Sequence, residues 1–246
     1  MKRLSSLAIA LTLIGLPLRT LPAHDNVVAH EMSDAASNFL KSLTPEQRSK
    51  AQFQFVDDER KNWHFVPKDR KGLPIKEMTH GQRALAHALL VTGLSNAGYK
   101  KALSIMSLEE ILAELEKGRG PVRDSELYYV TVFGEPGGAQ EWGWRFEGHH
   151  LTLNFTAGED QVFSMTPSFF GSNPGEVREG QRAGMRVLRD EEELGRALVK
   201  SLSEEQRKAA IIMEQAPRDI FNVPGREEFT KPEGIPQSQL TDSQKA

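Results

Sequence analysis

The chain has 246 residues, 38% hydrophobic and 26% charged, a composition that fits a folded globular protein and excludes a disordered one. A formal net charge of -3, with acids and bases mixed and no basic stripe, gives no electrostatic case for nucleic acid as a partner. The absence of cysteine excludes disulfides, a cysteine nucleophile, iron–sulfur clusters and thiolate zinc sites, so stability must come from packing.

Met1, Lys2 and Arg3 precede a short apolar run, LSSLAIALTLIGLPL, and then RTLPAHD. A cationic start, one apolar run and a small residue at Ala23 make a secretory signal peptide, residues 1–23, that directs the protein to a secreted or periplasmic location. The run is shorter than the roughly 20 residues of a membrane span, and no later segment is long and apolar enough, so no stable span is expected after cleavage. A helix is expected near Asp34. Capping boxes at Thr44/Gln47, Thr79/Gln82, Ser107/Glu110, Ser203/Gln206 and Thr241/Gln244 predict helix starts near 45, 80, 108, 204 and at the C-terminal end. An acidic version at Asp190/Glu193 predicts one near 191, and Gly118 reads as a C-cap. Between 127 and 167 the segments LYYVTVFG, WGWRFEGHHLTLNFT and QVFSMTP are aromatic and β-branched, joined by EPGGAQ and AGED, which predicts antiparallel strands. The expected fold is α+β, with helical pairs flanking a central antiparallel sheet.

KSLTPEQRSKA (41–51) matches KSLSEEQRKAA (200–210), and GLPIKEMTHGQRALA (72–86) matches GIPQSQLTDSQKA (234–246). The offsets, 159 and 162, keep the matches nearly in phase, and Val66-Pro67 pairs with Val223-Pro224 between them. Ordered matches of this kind point to a duplicated module. The division expected is a first α+β module at 31–189 and the start of a second, incomplete copy at 190–246, with the natural protein continuing beyond the chain as given.

With these stretches in view, the sequence resembles the family known as domain of unknown function 3500. The resemblance runs from Phe39 to Ala246 and rests on FVDDERKNWHFVPKDRKGLP, GYKKALSIMSLEEIL, WGWRFEGHHLTLNFT, PSFFGSNPGEVREGQRAGMRVL and SLSEEQRKAA. Its most specific element is GHHL followed three residues later by Asn154. The resemblance implies secretion and a further C-terminal segment bearing an Asn-His-Ile-His stretch. It implies no reaction.

The candidate chemistry lies in Trp142 to Thr156. Read as one strand, this segment changes from aromatic to polar on one face at Gly148, where a bulge would bring the tryptophans and leucines to one side and both histidines to one concavity. His149 and His150 are the candidate ligands of a divalent transition metal, with Glu147 as general base or orienting partner and Arg145 as electrostatic clamp. Trp142, Trp144, Asn154, Phe169, Arg60 and Trp63 are the candidate substrate-binding residues, for a small or polymeric extracellular ligand. The competing reading is a metal-free binding module with the Trp142/Trp144 face as an aromatic platform. In the blandest reading the histidines are hydrogen-bonded strand residues with no ligand. His80 and His87 share a helical face but lack zinc-pair spacing, and no GxSxG, P-loop or GxGxxG motif is present.

Overall fold

The structure, a computed structural model, describes residues 25–225 and 231–245; the expected signal peptide lies outside the described residues. Among them are seven α-helices and a seven-stranded sheet, an α+β fold. Helices α1 (Asp25–Lys41), α2 (Pro45–Ala51), α3 (His80–Thr92) and α4 (Asn96–Glu116) precede the central strands, and α5 (Arg189–Ser201), α6 (Glu204–Ala210) and α7 (Asp242–Lys245) follow the sheet. The strands are β1 (Gln52–Phe53), β2 (Leu73–Pro74), β3 (Tyr129–Phe133), β4 (Trp142–Gly148), β5 (Leu151–Ala157), β6 (Val162–Ser164) and β7 (Ser168–Phe170). The pairing is antiparallel except for β1, which runs parallel to β3.

Local chemistry explains most boundaries. Thr44 and Thr79 each accept from the amide three residues on, and Gln47 and Gln82 reach back, so both capping boxes form. The start expected near 108 is instead the interior of α4. Ser95 caps that helix, and the Ser107 hydroxyl bonds back to the Ser104 carbonyl within it. The helix expected near Asp34 begins at Asp25, and α5 begins at Arg189 with no side-chain cap. α4 ends at Lys117, in left-handed backbone, followed by Gly118 at φ +75°.

The segment expected to be a single strand is a tight hairpin. β4 and β5 pair from Trp142↔Ala157 to Gly148↔Leu151, and His149-His150 is the two-residue turn between them. The turn, not a bulge, puts Trp142, Trp144 and Phe146 on the same face as Leu151, Leu153 and Phe155. That face packs against Met32, Phe39, Leu89, Leu90 and Ile105 of α1, α3 and α4 to form the core. The opposite face carries Thr131, Arg145, Glu147, Thr152 and Asn154. A strap, residues 53–72, crosses it. Glu59 and His64 in the strap bond directly to that face.

The two sequence matches make matching bonds. Gln47 and Gln82 pair through their side-chain amides, and they also donate to the Glu77 and Ser42 carbonyls. Gln206 and Gln244 pair likewise and donate to the Gln239 and Ser201 carbonyls, at the same sequence offsets. Phe39 and Leu40 are buried by α3 and the sheet, whereas Leu198 and Val199, at the corresponding positions of α5, are exposed.

Candidate functional site

The polar face under the strap is a ladder of alternating charge. Arg145, 0% exposed, donates to the Glu59 carbonyl at 2.8 Å and to its carboxylate at 2.6 Å. Arg145 Nε lies 2.9 Å from Glu147 Oε1, but its N–H is not aimed at that oxygen, so the contact is an ion pair without a hydrogen bond. The other Glu147 oxygen accepts from the His64 amide at 3.0 Å and lies 3.8 Å from Arg70 Nε. Arg70 in turn caps the His64, Val66 and Gly148 carbonyls. Burial pushes the Glu147 carboxyl up, and Arg145, the His64 amide and Arg70 oppose that rise. Buried charges endure only when paired in this way. Glu147 and Arg145 are therefore sealed structural groups. Both side chains are buried and paired with each other and the strap, which leaves the general-base and clamp roles expected of them unsupported.

The tryptophans of the opening segment are likewise sealed. Trp142 and Trp144 are 0% and 1% exposed on the helix side, and Trp144 stacks on Phe155 at 4.3 Å between centroids. Neither forms an exposed platform. Phe169 packs its ring 4.5 Å from that of Phe65 and so holds the strap down. Arg60, Trp63 and Asn154 do converge, on a cavity of about 740 Å³ on one side of the strap.

The histidine turn sits at the other side. Its backbone is held at three points: the Tyr128 hydroxyl donates to the His149 carbonyl, the His150 amide donates to the Phe65 carbonyl, and the Gly171 amide donates to the His150 carbonyl. His150 adopts φ +58°, the left-handed region, to close the turn. Gly148 must lack a side chain, since a Cβ there would sit 2.4 Å from the Tyr128 ring. Burial keeps the Tyr128 phenol well above its ordinary range, so it stays a donor.

His149 Nδ1 contacts the carboxylate of Glu109, which α4 supplies from its apolar face and which is 4% exposed. Arg123 Nη1 lies 3.2 Å from the same nitrogen. A guanidinium only donates and a carboxylate only accepts, so one nitrogen cannot serve both. The carboxylate is the nearer partner; Nδ1 therefore carries its proton toward Glu109. Arg123 is held instead by Glu116 through two bonds of 2.8 Å, and these hold the Glu116 carboxyl below its usual range. His149 Nε2 has no partner among the described residues and is not sealed. His149 lines a cavity of about 360 Å³ together with Glu109, Tyr128, Tyr129 and strap residues Pro67 to Arg70. His150 is different: burial, then the neighbouring charges of His149 and Arg123, push its imidazole down to about 4, and its Nδ1 is buried against Gly171 with no partner.

The two rings lie 4.0 Å apart. Among the described residues no group of three or more His, Asp or Glu side chains is placed to hold a metal ion. The described residues therefore do not by themselves supply the ligand set of a resident transition metal.

Glu109 and Arg123 were missed by sequence reasoning. Glu109 had a signal, a carboxylate four residues after Ile105 and three before Leu112, within the buried stripe of α4. Arg123 had none, since it lies in an irregular loop.

Among the described residues no helix is long and apolar enough to cross a membrane. No curated protein and no solved structure matches the chain. A family model does match, over residues 25–246, and the chain belongs to that family, described as "Protein of unknown function (DUF3500)".

Proposed function

We propose that this is an exported enzyme in which His149 is the general base, oriented by Glu109, acting on a polar extracytoplasmic substrate in the 360 Å³ cavity. The observation that carries the reading is the imidazole itself. Nδ1 is fixed on a buried carboxylate, and Nε2, on a cavity wall, has no partner among the described residues. A carboxylate behind a histidine sets its tautomer, leaves a lone pair on the outer nitrogen and stabilises the imidazolium formed when that nitrogen takes a proton. The neighbouring groups support this role. Tyr128 fixes the turn, and His150 stays neutral. No serine or threonine lines the cavity, so the proton removed comes from a bound water or from the substrate. The N-terminal signal supports the exported setting.

General-base catalysis contributes on the order of 10²–10⁴ in rate. A panel of esters, amides, lactones and glycosides, assayed with intact protein and with His149→Gln, tests the reading. It expects turnover of one class, reduced by about that factor in His149→Gln. Turnover that His149→Gln leaves unchanged would sink it. Export is checked separately, by fusing the segment through Ala23 to a reporter active only outside the cytoplasm.

A further inference from the structure

The larger cavity, about 740 Å³, lies on the other side of the strap from His149 and has a different chemistry. Its volume is in the range of small-molecule sites, roughly 300–1,000 Å³. Two cations stand on one wall. Arg60 donates its Nε to the Phe55 carbonyl and lays its guanidinium 4.4 Å from the Phe55 ring centroid, so the side chain is held while its terminal N–H groups have no acceptor among the described residues. Among the described residues the one ionic neighbour of Lys61 is Asp58, at 3.9 Å and fully exposed. Trp63 follows in the same strap and is half-buried, whereas Trp142 and Trp144 are sealed in the core. The sheet supplies Asn154, whose side-chain amide donates to the Pro167 carbonyl and leaves its own oxygen as an acceptor, and Thr156 adds a hydroxyl.

We propose that this cavity is a second ligand site and that its ligand is a sugar acid, a hydroxylated ring bearing one carboxylate. Each part of the ligand follows from a part of the wall. A fixed guanidinium with free parallel N–H groups matches a carboxylate, and the adjacent ammonium adds charge. A half-exposed indole presents a flat apolar face that suits the C–H face of a sugar ring. The Asn154 oxygen and the Thr156 hydroxyl need donors, which ring hydroxyls provide. The site shares none of its lining residues with the His149 cavity, and the proposal does not rest on His149 being a base.

Titration with sodium glucuronate and with glucose, followed by tryptophan fluorescence, tests the proposal. Trp63 and Trp144 both line this cavity, but Trp144 is 1% exposed and Trp63 is the half-buried one. Glucuronate should produce a saturable change, at least about 10-fold tighter than glucose and weakened by salt. Trp63→Phe should remove most of the signal and Arg60→Gln should abolish binding. Because Arg60 also holds Phe55, the exposed Lys61→Glu serves as the second variant; it should weaken glucuronate about 10-fold while leaving the melting temperature unchanged. His149→Gln should bind glucuronate as the intact protein does. Absence of saturable glucuronate binding, equal affinity for glucose, or glucuronate binding undiminished in Lys61→Glu would overturn the proposal.

Discussion

The strap over residues 53–72 has a cluster of charged side chains beneath it and another beside it, and the two are finished differently. In the first, Glu59, Arg145, Glu147 and Arg70 alternate in sign, and backbone groups satisfy nearly all that remains. In the second, Glu109, His149, Arg123 and Glu116 are also in contact, but the chain of contacts stops at His149 Nε2, which opens on a cavity. The residues are of the same kinds. What separates a structural cluster from a chemical one is whether the last polar atom has a partner. A sealed ladder is paired because each buried charge left alone would be expensive. An unfinished one holds a group that can accept a proton from something else.

Breaking the sealed ladder should have the largest effect on folding. Arg145→Met leaves Glu59 and Glu147 buried without their cation and should lower the unfolding free energy by about 3–5 kcal/mol in urea titration. A loss under about 1 kcal/mol would show that the ladder is not tightly paired. Next comes the turn that aims His149. Gly148→Ala forces a Cβ into the Tyr128 ring and should cost about 1–3 kcal/mol. Thermal melts that match the intact protein would mean the ring moves freely.

The pH response of His150 is smaller and has a definite sign. Its imidazole is held down to about 4 in the fold, against 6.5 as its ordinary value. In that window the unfolded chain takes up a proton that the folded chain refuses, so His150 lowers stability as the pH falls from 6.5 toward 4. His150→Asn tolerates the left-handed backbone and removes this slope, which urea midpoints measured across the window would reveal. An unchanged slope would show that other groups govern the acid limb. The smallest stability effect belongs to the open cluster. Glu109→Gln keeps an oxygen for the Nδ1 proton and should cost less than about 1.5 kcal/mol. It should nevertheless slow carbethoxylation of His149 by diethyl pyrocarbonate, mapped by mass spectrometry, because the outer nitrogen loses its carboxylate support. Equal rates in the two proteins would separate His149 reactivity from Glu109.

The sequence carried the frame further than the site. Capping boxes at Thr44, Thr79 and Ser203 and the periodicity of 127–167 were legible because they are local: a side chain and an amide three residues away, or an alternation along one strand. The Ser107 box misled because the same four residues fit within a helix already begun at Asn96. The hairpin at Gly148 was half legible. The change of pattern is in the residues, but a turn and a bulge produce the same change, and only the pairing of β4 with β5 decides between them. The polar residues of WGWRFEGHH could not be sorted into sealed and open from sequence. Arg145 and Glu147 are closed off by Glu59, His64 and Arg70, more than 70 residues away, and His149 is completed by Glu109 and Arg123, 40 and 26 residues away.

The central claim is that His149 presents a bare Nε2. Long-range proton–nitrogen correlation spectra of the histidine side chains report which ring nitrogen holds the proton. Recorded at about pH 9, well above the ordinary histidine range, they should show His149 with its proton on Nδ1 and none on Nε2, and Glu109→Gln should weaken that preference. A His149 protonated on Nε2, with Nδ1 bare and accepting from Arg123, would contradict the account, because the nitrogen facing the cavity would then have no lone pair to act as a base.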